Sequence, residues 1–362
     1  MKAQHIVSPS QIQSSLDDLW NANENKNKVR ASLFNLVFFS KKSPREEYLR
    51  KVAYKTLEKF PARVFFLSSD PSQKDSLETT VSIISTKQGD FDITCDLIEI
   101  ETGGKEEKKI PFLLLPHLIP DLPIFLVWQE DLTQNYALFD ELKSLATRII
   151  FDSEASENLS LFAESMLDKN EKNHFEIADL NWARLESWRS LISSTFSTPE
   201  ILNKLQKTSS ITITYNAEET PFFCHTKIQA IYLQAWIASR LKWQACPLKE
   251  NSEDTLFKYT KEEGDLLVKL ETVKHQELPP GMIVSVEIET SEGESFSFSR
   301  KKDMSDKIYF KHSTPTECSL LTHMEVSKRE SGQSLVKEIC HKGTSEHYIE
   351  ALKIILVGKS KC

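Results

Sequence analysis

RASLFNLVFFSKKSPREEYLRKVAYKTLEKFPARVFFLSS, Arg30 to Ser69, holds two nearly continuous apolar runs separated by one helical pattern. The first run, Arg30 to Ser40, has strand length and almost no polar alternation, which marks a strand buried on both faces. Ser43-Pro44 then opens a helix to Phe60, with Tyr48, Val52, Leu57 and Phe60 on its inner side. RVFFLSS is a second buried strand. Strand, helix and strand in this order form the right-handed crossover of a parallel sheet, so the chain begins with an α/β layer.

On the N-terminal side, Ile12, Leu16, Leu19 and Trp20 recur at helical spacing after a Ser-Pro-Ser start. On the other side, LETTVSIIST and FDITCDLIEI alternate about KQGD and read as an antiparallel hairpin. Gly103-Gly104, within TGGKEEKK, reads as a hairpin tip or mobile loop. Ile110 to Trp128 is nearly as long as a membrane span, but Pro111, Pro116, Pro120 and Pro123 divide it into a short helix, a turn and the buried strand PIFLVW. A helix from Asp131 to Leu145, the strand TRIIFDSE and a helix from Asn158 to Leu167 complete a first domain over residues 1–167, a mixed sheet with packed helices. The polar run DKNEKNH, Asp168 to His174, lacks apolar period, so residues 168–177 are expected to be a linker.

The second domain, residues 178–362, opens with DLNWARLESWRSLISSTF, Asp179 to Phe196. Leu185, Trp188, Ile192 and Phe196 fall on one helical face, and Asp179 is placed to cap a helix that begins near Leu180. Arg189 lies on the edge of that stripe and needs a partner, either Glu186 or the ring of Trp182. Arg184, four residues before Trp188, has an indole within reach. SSITITYN is a strand, and PFFCHTKIQAIYLQAWIASRLKW, Pro221 to Trp243, is a long amphipathic helix in which Trp236 and Arg240 stand four apart. Short strands between Gln244 and Ser313 make an antiparallel meander, and helices at Cys318–Lys328 and Leu335–Leu356 close the domain. The expected class is therefore α/β and α+β.

Composition narrows the chemistry. A formal charge of −8 speaks against a nucleic-acid partner. Cysteines 95, 224, 246, 318, 340 and 362 show no C-x-x-C spacing, as expected of reduced thiols in the cytosol. Only 9 of 362 residues are glycine, against a usual roughly 7 per cent, and none stands in G-x-G-x-x-G or G-x-x-x-x-G-K order. No dinucleotide, ATP or other cofactor site is expected. MKAQHIVSPS has no apolar leader segment, which agrees with a cytoplasmic location away from membranes. Cys340-His341 and Cys224-His225 are adjacent pairs whose side chains would diverge on a helix. His117 with Asp121, and Glu287 with Glu289, are better read as locally satisfied or solvated groups. No catalytic residue or metal ligand is assigned.

DLNWARLESWRSLI, Asp179 to Ile192, resembles the D-L-x-W-x-R-L-x-x-W-R signature of the glucose-6-phosphate dehydrogenase assembly protein family, the OpcA proteins. PARVFFL, Pro61 to Leu67, is similar to its P-S-R-V strand, with Ala62 in place of serine. LIPDLPIFLVWQED, Leu118 to Asp131, is similar to its L-x-P-D-x-P-x-x-x-W-W segment, with Val127 before a lone Trp128. LQAWIASRLKW, Leu233 to Trp243, resembles its G-W-L-A-S-R-L-G-W helix, with Ala235, Ile237 and Lys242 as departures. The resemblance implies a protein without catalysis of its own that binds glucose-6-phosphate dehydrogenase and favours its active oligomer in the oxidative pentose phosphate pathway. Trp182, Arg184, Trp188 and Arg189 are then the first candidates for the partner-binding anchor, with Arg63 and Trp128 second. Residue types alone leave three alternatives open: a core helix with structural arginine pairs, a phosphosugar enzyme using Arg63, Arg184 and Arg189, or a general scaffold.

Overall fold

The computed structural model describes residues 5–22, 28–43, 45–88, 91–134, 136–172, 175–220, 225–246, 255–262, 264–301, 304–318, 322–325 and 332–358. Two compact units divide the chain: residues 1–155, 173–180 and 330–343 form one, and residues 156–172, 181–329 and 344–362 the other.

The first unit contains, in order, β1 (His5–Val7), α1 (Ile12–Ala22), β2 (Lys28–Arg30), β3 (Asn35–Lys41), α2 (Arg45–Leu57), β4 (Arg63–Asp70), β5 (Ser76–Gln88), β6 (Phe91–Gly103), α3 (Ile110–Leu114), β7 (Ile124–Trp128), α4 (Ala137–Lys143) and β8 (Arg148–Phe151). After α5 (Leu159–Lys172), which belongs to the second unit, the chain returns as β9 (Glu176–Asp179). The sheet order is β1-β5-β6-β4-β3-β7-β8-β9, with β2 paired to β6. Strands β6, β4, β3, β7, β8 and β9 are all mutually parallel, while β5 and β1 extend one edge in antiparallel pairing. The β3-α2-β4 crossover thus forms as the two buried runs require, Asn35 beside Arg63 and Phe38 beside Phe66. Phe34, Leu36 and Phe38 pack with Val64, Phe66 and the α2 residues Leu49, Val52 and Leu57.

The polar run from Asp168 is helical to Lys172, and Glu176 and Ile177 already belong to β9, paired with β8; residues 173 and 174 lie outside the described residues. Gly103 and Gly104 are not a hairpin tip. Gly103 ends β6, Gly104 turns at φ 58°, and the following 3₁₀ turn is pinned where the Lys105 N–H donates to Asp75 Oδ1 at 2.8 Å.

The second unit continues with α6 (Leu180–Arg184), α7 (Glu186–Thr195), α8 (Pro199–Gln206), β10 (Thr208–Asn216), α9 (Ile228–Arg240), β11 (Gln244–Cys246), β12 (Leu256–Lys261), β13 (Gly264–Val273), β14 (Ile283–Thr290), β15 (Ser295–Lys301), β16 (Met304–Ser313) and β17 (Thr322–Glu325). The meander forms, but β10 inserts at its centre, parallel to β13 and antiparallel to β14. One sheet face buries Ile211, Ile213, Val268, Val286 and Phe298. Glu287 and Glu289 alternate onto the opposite face and are exposed. Helix α9 is buried on every side from Ile228 to Ala238, so it is a core helix and not the expected amphipathic one. The helix expected over Cys318–Lys328 is corrected by β17, which pairs with β16; residues 319–321 and 326–331 lie outside the described residues.

Helix α10 (Gln333–Cys340) returns to the first unit, and α11 (Glu346–Val357) packs on α9 and α5 in the second. The single helix expected over Leu335–Leu356 is broken after Cys340, where Gly343 takes φ 77°. Gly332 caps α10 at φ 88°, and a Cβ there would lie 2.8 Å from the Val52 carbonyl oxygen on α2. That close approach needs glycine.

Candidate functional site

In the second unit, the signature helix is interrupted at Leu185, which takes φ −88° and ψ −5° between α6 and α7. Its N–H bonds back to the Trp182 carbonyl at 3.1 Å, a three-residue step tighter than the α-helical one. Arg189 secures this break. Its Nη1 donates to the same Trp182 carbonyl at 2.6 Å, and its guanidinium carbon lies 3.8 Å from the centre of the Trp182 ring. Trp182 is 4% exposed and packs on Tyr232 and Tyr348, with ring centres 6.4 and 5.3 Å away.

Trp188 is fully buried. A cation lies near its ring from outside the signature: the guanidinium carbon of Arg300 is 5.6 Å from the ring centre. Burial pushes the Arg300 guanidinium down to about 10, and its Nε donates to the Ile283 carbonyl at 3.3 Å. Arg184 turns to its own helix, its Nη1 donating to Asn181 Oδ1 at 2.6 Å. Arg184 and Arg189 are half-buried. The indoles therefore belong to the core of this unit, and what the signature offers to the outside comes through its two arginines.

In the first unit, Trp128 ends β7 and is 1% exposed, stacked on Phe39 at 4.4 Å and met edge-on by Phe139 at 4.9 Å. Arg63, at the start of β4, is also buried. Its Nε and Nη2 donate to Asp96 Oδ2 at 2.9 and 2.6 Å. Arg30 and the Trp20 indole donate to the same carboxylate. Burial raises the Asp96 pKa, but these donors and the Arg63 charge outweigh it and hold the group below its ordinary range. The remaining nitrogen of the Arg63 fork, Nη1, donates to the His117 carbonyl at 2.9 Å.

That last bond places Arg63 under an exposed ridge. Asn35 holds the same segment, its amide donating to the Ile119 carbonyl at 3.1 Å and its oxygen accepting the Ile119 N–H at 2.9 Å. Helix α3 and the 3₁₀ turn Leu115–His117 bury Ile110 and Leu114, while Phe112 and Leu115 remain 74% and 56% exposed on the opposite side. Sequence reasoning passed over Phe112 and Leu115. The signal was present in IPFLLLPHLIP, which has more apolar residues than one buried face of so short a helix can take. Burial and the Arg63 charge hold the His117 imidazole below its ordinary pKa. Among the described residues no group of three His, Cys, Asp or Glu side chains could hold a metal ion, and no helix is long and apolar enough to cross a membrane.

The two sheets define a doubly wound dinucleotide-type unit joined to an α+β unit. Among solved structures, levoglucosan dehydrogenase in complex with NADH and L-sorbose superposes with a TM-score of 0.51 at 10% identity, over 90% of this chain and 96% of that one, a likeness of fold alone. The chain belongs to the glucose-6-phosphate dehydrogenase assembly (OpcA) family: residues 53–166 match the glucose-6-phosphate dehydrogenase subunit N-terminal domain and residues 175–352 the C-terminal domain of that subunit. It is 26% identical over 200 residues to a chain of Nostoc punctiforme that bears the name OxPP cycle protein OpcA, covering 54% of this chain and 41% of that one. A chain of the same name in Synechococcus elongatus is 28% identical over 204 residues, 56% and 44% of the two chains. The matched part spans less than half the length of these relatives. The family's names tie it to the oxidative pentose phosphate cycle and to assembly of glucose-6-phosphate dehydrogenase.

Proposed function

We propose that this chain is a non-catalytic assembly factor that acts in the cytosol, binds glucose-6-phosphate dehydrogenase and favours its active oligomer. The support is the match to both domains of a dehydrogenase-assembly subunit across residues 53–166 and 175–352. Linkage is mechanism enough: a protein that binds one assembly state more tightly shifts the population by that difference, about 1.4 kcal/mol for each tenfold in affinity. No chemistry by the helper is needed.

Two surfaces are candidates for the grip. In the second unit, Arg184 and Arg189 are half-buried on a helix whose tryptophans, Trp182 and Trp188, lie in the core, and Arg189 stacks on the Trp182 ring. In the first, Phe112 and Leu115 stand on a ridge fixed by Arg63 and Asn35, with Trp128 in the core of the same unit. Exposed aromatic and apolar side chains on a rigid support are the usual material of an interface centre.

The test is to titrate the purified chain into the cognate dehydrogenase while following velocity and mass together. Both should rise to a plateau. Phe112→Asp should raise the half-saturating concentration by about tenfold or more at an unchanged melting temperature. A dehydrogenase whose velocity and subunit number ignore a saturating amount of the chain would end this proposal.

A further inference from the structure

The parallel strands run β6-β4-β3-β7-β8-β9, the order of a dinucleotide-binding sheet, in which the cofactor sits at the carboxyl ends of the strands beside β3, where the order reverses. That site needs three things: a glycine-rich turn whose N–H groups are free to meet a pyrophosphate, a helix start that favours an anion, and a carboxylate after the second strand for a ribose hydroxyl. The turn after β3 instead runs through Lys41, Lys42 and Ser43 to Arg45, without glycine.

Two of its N–H groups are also in use. The Lys41 N–H donates to Glu130 Oε1 at 2.6 Å, and the Lys42 N–H to the Ser69 carbonyl at 3.1 Å. The first turn of α2 carries Glu46 and Glu47, which repel a phosphate from the helix end that would otherwise attract it. Arg45, the first residue of α2, turns inward to the ends of β7 and β8. Its Nε donates to Gln129 Oε1 at 3.1 Å and its Nη2 to Asp152 Oδ2 at 2.5 Å, with Glu154 Oε2 at 3.6 Å. Arg45, Gln129, Asp152 and Glu154 are all buried. One part of the binding pattern does survive, since Asp70 ends β4. Its carboxylate, however, accepts the Ser72 N–H and hydroxyl at 3.1 and 2.6 Å.

We infer that the cofactor crevice of this fold is closed from within by the chain's own anions: Glu130 occupies the turn's N–H group, and Asp152 and Glu154 engage Arg45, so no NAD-type dinucleotide binds. The inference holds with or without the dehydrogenase as partner, because it concerns only groups of the first unit.

Titrating NADH, and separately NADPH, into the full chain up to about 1 mM, the upper range of ordinary substrate affinities, should give neither fluorescence enhancement nor a rise in melting temperature. Saturable binding of either would overturn the inference. Arg45→Met should lower the melting temperature by about 5–10 °C, because Asp152 and Glu154 lose their guanidinium. Adding Asp152→Asn to that variant should recover part of the fall. An Arg45→Met chain that melts with the wild type would show that this cluster does not fill the crevice. If Arg45→Met does not fold, the two nucleotide titrations on the unaltered chain still decide.

Discussion

Arg189 meets two needs with one side chain: it covers the Trp182 ring and supplies a donor to a carbonyl at the break in its own helix. A cation over an indole contributes roughly 0.5–2 kcal/mol, and a charged donor to a carbonyl about 1.5–3 kcal/mol, with partial overlap between the two. Arg189→Ala should therefore lower the unfolding free energy in urea by about 1–3 kcal/mol. Arg189→Lys should recover little, since an ammonium cannot stack flat and donate in the ring plane together. Superimposable urea curves for wild type and Arg189→Ala would mean the contact has no structural weight. Part of this was legible in the sequence, because the edge position of Arg189 demanded a partner and the Trp182 ring was one of two within reach. Arg300 over Trp188 was not, as the two meet through folding of distant segments. Whether a tryptophan is core or surface is likewise set by what packs on it, and Tyr232 and Tyr348 are far from Trp182 in sequence.

Among the elements, β3, α2, β4, the β5-β6 hairpin and β7 were readable because each carries its periodicity locally. The break at Leu185 was not, since a single tight turn leaves the spacing of Trp188, Ile192 and Phe196 unchanged. The break between α10 and α11 did have a signal in Gly343, outweighed in the reading by apolar period on both sides. The order of the parallel strands was beyond reach, because parallel neighbours pair across long crossovers that no local pattern records. The segment Leu118–Leu122 that follows the ridge is held by the Asn35 side chain, which bonds Ile119 and the Leu122 carbonyl. Asn35→Ala should free it. Hydrogen exchange at the Ile119 amide should then quicken by about tenfold or more, the loss of a buried hydrogen bond being worth roughly 1–3 kcal/mol. Unchanged protection of Ile119 would show that the segment is fixed by packing alone.

Across the whole molecule, neither unit is a continuous piece of chain. Arg148, 1% exposed on β8, donates from Nη1 to Glu176 on β9 at 2.9 Å and from Nη2 to Glu338 on α10 at 2.6 Å. The carbonyls of His341 and Gly343 accept from it as well, each at 3.0 Å. A fragment of residues 1–167 lacks all four acceptors and leaves a buried guanidinium uncompensated, a cost of about 3–5 kcal/mol. That fragment should show no cooperative thermal melt by circular dichroism, and a sharp transition from it would refute the expectation. The two sequence-matched stretches, at 53–166 and 175–352, thus do not coincide with the two compact units.

Arg148 leaves the ribosome 190 residues ahead of Glu338. Throughout the synthesis of those 190 residues, which include every strand of the second sheet, the earlier-made half lacks the Glu338 carboxylate that Arg148 meets. Strictly vectorial, start-to-finish maturation of the first unit is therefore not expected of this polypeptide.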